Sequence, residues 1–233
     1  MSSPLSVPAS GPRPASRRLR RPLALVAAAG VAAALTTGCS VAGTDFHPGT
    51  AAVVDGSRVT LNEVDEVASA TCVNNAYFVE NGQSVPVNGG LLREDYVKIA
   101  VREIAYEALV DETDAVLGSD YTAAVADAEK QVGRVDYLDE DERASLLEIV
   151  TKATYAQYAS LAVGQAVLAA EGETSVTDED AQAAGQEALT DWLTSHDVDL
   201  NPIFDLTTDE LVGTATVDVP DGVDALPDNQ RCG

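Results

Sequence analysis

The chain offers few residues for covalent or acid–base chemistry: three cysteines, Cys39, Cys72 and Cys232, and two histidines, His47 and His196. A thiol can be alkylated, paired with a second thiol, or used as a nucleophile. Two histidines so far apart in sequence do not match the spacing of a His-based metal site. The chain contains no glycine-rich phosphate loop and no GxSxG elbow. Three acidic clusters, Asp111-Glu112-Asp114, 139–142 and 178–180, fall where helices are expected to begin or end. They read as caps and solvated turns, and none has the spacing of an EF-hand calcium loop. The residues thus point to no catalytic centre, no metal and no cofactor, which leaves the chemistry of the cysteines.

Cys39 stands at the end of a leader. Arg13, Arg17, Arg18, Arg20 and Arg21 precede the uncharged, alanine-rich run 23–35. That run of 13 residues is shorter than the ~20 a membrane-spanning helix needs. A charged start, a short apolar middle and a small-residue end make residues 1–38 a secretory signal peptide. Thr37-Gly38-Cys39 looks like a bacterial lipobox, in which the cysteine thiol is alkylated by diacylglycerol and becomes the first residue of the mature protein. Thr36 holds the place where leucine is usual, and Leu35 lies one position earlier. An ordinary secretory signal is the alternative. Each buried methylene contributes ~0.8 kcal/mol, so two acyl chains hold where one is marginal. The expected location is the outer face of a cytoplasmic membrane, with the lipid bilayer as a partner through acylated Cys39. Ser16-Arg17-Arg18 is compatible with twin-arginine export as well as the general route.

Charge and cysteine count bound the rest. Five of the 14 Lys and Arg lie in residues 1–38, which hold no acid, so residues 39–233 carry nine cations against 38 Asp and Glu, a net charge near −29. Such a field repels nucleic acid and anionic lipid. With Cys39 assigned to lipid, Cys72 and Cys232 remain, and an oxidising compartment favours a disulfide between them. Two unpaired thiols are the alternative. A bridge closing about 160 residues contributes up to ~5 kcal/mol in the chain-entropy model.

Residues 39–50 mix glycine, proline and polar residues without periodicity and read as a tether, with His47 solvated in it. From Ala51 the pattern changes. Ala52-Val53-Val54, the turn pair Asp55-Gly56, and Ser57-Arg58-Val59 make a hairpin. Thr60 and Glu63 fit a capping box that opens a first helix, whose apolar face Leu61, Val64, Ala68 and Cys72 turns Cys72 toward the core. A second helix is expected over 91–117, stopped by Gly118, and a third from Ser119 or Asp120 to about Arg134. Asp139 and Glu142 cap a fourth, 140–170, with apolar residues on more than one face. Thr177 to Asp180 cap a fifth, which contributes Leu189 and Trp192 to the core and ends at His196. Val198 and Leu200 then alternate as a strand, and 206–233 is an acidic tail.

Ala52-Val53-Val54-Asp55-Gly56-Ser57-Arg58-Val59-Thr60-Leu61-Asn62-Glu63-Val64-Asp65-Glu66-Val67 resembles the opening of the SurA-type periplasmic chaperones. There, a short strand, an Asn/Asp-Gly turn, a second strand and a threonine-capped helix precede a helical bundle. In that family the last helix leads into a strand bearing a Pro-Arg-aromatic-Gly signature, which returns to the hairpin. Here Pro202 and Phe204 match, while Ile203 and Asp205 stand in place of the arginine and glycine. The resemblance spans about residues 51–205. It implies a mainly α domain of about five helices, one very long, with two or three short strands. Only 29 residues follow Phe204, so no parvulin-type isomerase domain is expected. The resemblance implies non-enzymatic binding of unfolded or exported polypeptides in a groove between helices. A structural or assembly lipoprotein with one folded envelope partner is the alternative.

Overall fold

The computed structural model describes residues 48–212, Leu226 and residues 230–233. Cys39 and His47 lie outside the described residues, as does the leader. The fold is mainly α, with six helices among the described residues, five of them of substantial length.

β1 (Thr50–Val54) and β2 (Ser57–Thr60) form an antiparallel hairpin. Its turn residues Asp55 and Gly56 both take positive φ, 47° and 86°, as a two-residue hairpin turn of this hand requires. β4 (Val198–Leu200) returns to the other edge of β1, pairing Ala52 with Leu200 and Val54 with Val198 in the order β2-β1-β4. Buried Asn201 fixes that register through its side-chain amide, which donates to Thr50 O (2.9 Å). Pro202–Phe204 then make a 3-10 turn, closed by Asp205 in the left-handed region at φ 50°. An aspartate tolerates that conformation, so the turn forms without glycine.

The helices are α1 (Leu61–Glu80), α2 (Gly89–Thr113), α3 (Ser119–Val132), α4 (Glu140–Ala170), α5 (Asp178–Ser195) and α6 (Thr208–Val212). α4 has 31 residues, about 46 Å at 1.5 Å per residue, and packs against α1, α2, α3 and α5. Its start is the full capping box of Asp139 and Glu142, and α5 starts on the box of Thr177 and Asp180. Three boundaries differ from expectation. α2 begins two residues early because the Asn88 side chain caps Gly90 N (2.8 Å), and it ends at Thr113 because Asp114, not Gly118, turns left-handed at φ 52°. Gly118 is the cap of α3, with no side-chain bond from Ser119 or Asp120. Thr60 caps α1 at Glu63 N (3.2 Å), but the Glu63 carboxylate turns to Tyr96 rather than back to the cap.

The core holds Val54, Val64, Tyr96, Val101, Val163, Leu189 and Trp192. The segment read as a tail joins the domain at two places: α6 buries Leu211 completely, and β5 (Arg231–Cys232) pairs with β3 (Val87–Asn88). α4 and α5 approach to backbone contact. A Cβ on Gly164 would lie 1.8 Å from Ala181 O, and one on Gly185 would lie 2.0 Å from Ser160 O.

Candidate functional site

The residues singled out from the sequence fall in different places. Cys72 and Cys232 form a disulfide, with their Cα atoms 4.9 Å apart. Around it Ala68, Val87 and Leu92 make a second small core. The Asn75 amide donates to Cys232 O (2.9 Å) and to Val85 O (3.1 Å), tying the chain end to α1. His196 stacks on Trp192, with ring centroids 4.0 Å apart, and its Nδ1–H donates to Trp192 O (2.9 Å). The indole Nε1 of Trp192 in turn donates to Glu112 (3.2 Å). Among the described residues no group of three or more His, Cys, Asp or Glu side chains is placed to hold a metal ion.

A cleft of about 240 Å³ opens where α2, α4, α5 and α6 meet. Ile99, Ala153, Ala156, Leu189 and Val212 make it apolar, while Arg102, Tyr106, Gln157, Ser160, Gln182 and Gln186 supply its polar groups. The hollow exists because the facing residues are small: two alanines and a serine on α4 meet α5 beside Gly185. Gln182 Nε2 donates to Ser160 Oγ (3.1 Å), and Tyr106 O–H donates to Gly185 O (3.3 Å). Burial pushes the Tyr106 phenol up, so it stays a donor. Arg102 Nε donates to Leu211 O, holding α6 against α2 where Val212 lines the cleft. Burial lowers the guanidinium's pKa, opposed by Tyr106 and Asp95; an arginine remains charged regardless. Among the described residues no histidine or carboxylate lines the cleft. Ser160 Oγ accepts from the Gln182 amide, which takes no proton from it. The sequence reading did not find this site. Its signal is the pair Gln182 and Gln186, four residues apart on α5, facing the alanines of α4.

A second polar junction lies between α1, α2 and α4. The Tyr96 O–H meets Glu148 (2.6 Å) and Glu63 together. A phenol has one proton to give, so both contacts are hydrogen bonds only when one carboxyl keeps its own proton. Burial raises the Glu148 pKa, with Glu63 adding to the rise and Lys152 and the Tyr96 bond opposing it. Burial and the two carboxyls also push Tyr96 far above the ordinary phenol range. Lys152 is itself held by Glu103 of α2. Because the folded-state pKa of Glu148 exceeds its ordinary value of 4.5, its stabilising contribution is complete below that value and is lost as pH rises through the folded pKa. Glu148→Gln supplies a permanent amide donor to Tyr96. It should stabilise the protein near pH 7 by about 0.5–1 kcal/mol, allowing for the partial exposure of the carboxyl. Thermal melts from pH 4 to 8 check this: the gap between variant and wild type should open as pH rises, and a constant gap would refute the shared proton.

Comparison of the chain with protein-family models, with curated proteins and with solved structures finds no match. No helix among the described residues is long and apolar enough to cross a membrane.

Proposed function

We propose that this protein is a lipid-anchored extracytoplasmic lipoprotein of SurA N-terminal type, whose helical domain holds unfolded or exported polypeptide segments without catalysing a reaction on them. The cleft between α2, α4, α5 and α6 carries the reading. Pockets for free small molecules run to about 300–1,000 Å³, and 240 Å³ falls below that range. It suits one large side chain of a longer chain that continues outside. The carboxamides of Gln157, Gln182 and Gln186 both donate and accept, which matches the peptide groups flanking such a side chain and favours no particular sequence. The order of elements, from hairpin and threonine-capped helix through a bundle to a returning strand, is the order the resemblance implies. A net charge near −29 for residues 39–233 favours neutral or basic segments, with affinity for basic ones falling as salt rises.

Two experiments test this. Ala156→Phe fills the cleft from a half-buried position, and anisotropy of a labelled unfolded polypeptide should then show at least tenfold weaker binding at unchanged helicity. Equal binding would remove the cleft from the account. Cys39→Ser cannot form the thioether, so fractionation should move the protein from membrane to soluble fraction; retention in the membrane would rule out the anchor.

A further inference from the structure

We propose that the exposed aromatic face at the C-terminal end of α1 is a docking surface for a basic, extended segment of a protein partner, separate from the cleft. Among the described residues five large hydrophobic side chains are exposed. Three of them, Tyr77 (40 %), Phe78 (36 %) and Val85 (52 %), gather here, whereas Val116 and Ile203 lie singly elsewhere in the chain. The face is held in place from beneath. Tyr77 stacks on Tyr137 with centroids 3.7 Å apart and planes 6° apart, and Phe78 meets Tyr77 edge-on at 5.6 Å. Tyr137 O–H donates to Asn74 Oδ1 (2.9 Å), and Arg143 clamps the Tyr137 loop through Val135 O (3.1 Å) and Leu138 O. Ser84 and Asn75 fix the loop that carries Val85. An aromatic surface ordered before it meets a partner loses little entropy on binding.

Charge decides the occupant. Glu66, Ala70, Asn74 and Tyr77 follow one another at three- and four-residue steps, so they lie along one side of α1. Beside the first two, α1 and the start of α4 wall a groove of about 760 Å³ whose lining includes Glu66, Asp139, Asp141 and Glu142, with Asp65 at its edge paired to Arg93 (2.7 Å) and Glu148 turned to Tyr96. From Glu66 to Tyr77 the helix rises about 16 Å, the reach of about five residues of extended chain. A second copy of this chain would bring like charge onto the same surface. An anionic bilayer is repelled for the same reason. The face also lies at the other end of α1 from the entry of the chain, where Leu61 N donates to Gly49 O (2.9 Å). A segment with lysine or arginine along the groove and a cation or ring over the tyrosines satisfies both features at once.

Anisotropy of a fluorescein-labelled ten-residue peptide of alternating lysine and tyrosine, titrated with full-length protein in detergent micelles, tests the proposal. Tyr77→Ser and Phe78→Ser, both at exposed positions, should each weaken binding at least fivefold. Glu66→Gln with Asp141→Asn should weaken it similarly and flatten its salt dependence, and the fivefold losses should persist when each change is made in the Ala156→Phe background, where the cleft no longer contributes. The proposal is overturned by undiminished affinity in the aromatic variants in either background, by equal binding of the peptide with glutamate replacing lysine, or by stronger binding of a neutral glycan polymer.

Discussion

Gly185→Ala should destabilise the domain by roughly 3 kcal/mol, the upper end for overpacking. On an exposed helix the same change is favourable by about 1 kcal/mol, since alanine loses less backbone entropy than glycine. Here the added methyl would sit 2.0 Å from Ser160 O, against backbone that no rotamer can move aside. α5 would have to back away from α4, breaking the Tyr106 bond to Gly185 O and the Gln182 bond to Ser160. The cleft would lose its shape with its wall. Gly164→Ala meets Ala181 O at 1.8 Å and should behave alike. Gly118→Ala, with nothing within 4 Å of the new atom, is the control and should cost about 0.5–1 kcal/mol, the loss of a glycine cap at the start of α3. Denaturant titration followed by the fluorescence of Trp192 reads all three; an unchanged midpoint for Gly185→Ala would contradict the close approach of the two helices.

Cys232→Ser should cost about 2–4 kcal/mol, the usual range for a lost disulfide. Two effects add. The bridge closes 160 residues, a long loop whose unfolded state it restrains, and it adds a covalent tie to β5, a two-residue strand also fastened by its pairing with β3 and by Asn75. Val87 and Leu92, now buried beneath the chain end, would meet water. The melting temperature should fall by several degrees, and trypsin should cleave after Arg231 readily in the variant and slowly in the intact protein. Mass spectrometry of unreduced peptides should show Cys72 linked to Cys232 in protein isolated from its native cells, and two free thiols there would refute the pairing.

What could be read from the sequence follows how local each cause is. Asp139 with Glu142, and Thr177 with Asp180, announce two helix starts because cap and partner lie three residues apart. Val198 and Leu200 give the returning strand by alternation. The end of α2 escapes the sequence because Asp114 adopts the left-handed turn expected of Gly118. Glu63 has the spacing of a capping partner, but Tyr96, from another helix, takes its carboxylate. α6 and β5 were absorbed into an acidic tail: each is short, and only contact with α2, α5 or β3 makes it an element. The cleft was invisible for the same reason. It is built from missing bulk at Ala153, Ala156 and Gly185, and an absence on two helices becomes a hollow only when they are packed together.

The central claim is that the domain holds unfolded polypeptide, and its most direct test is aggregation of a chemically denatured client. Light scattering should be followed with full-length protein in nanodiscs, wild type and Ala156→Phe, at two salt concentrations. The account predicts that wild type suppresses the scattering at a few-fold molar excess, that Ala156→Phe does so much less, and that neither accelerates isomerisation of a proline peptide. No protection by wild type at several-fold excess in either salt would contradict it.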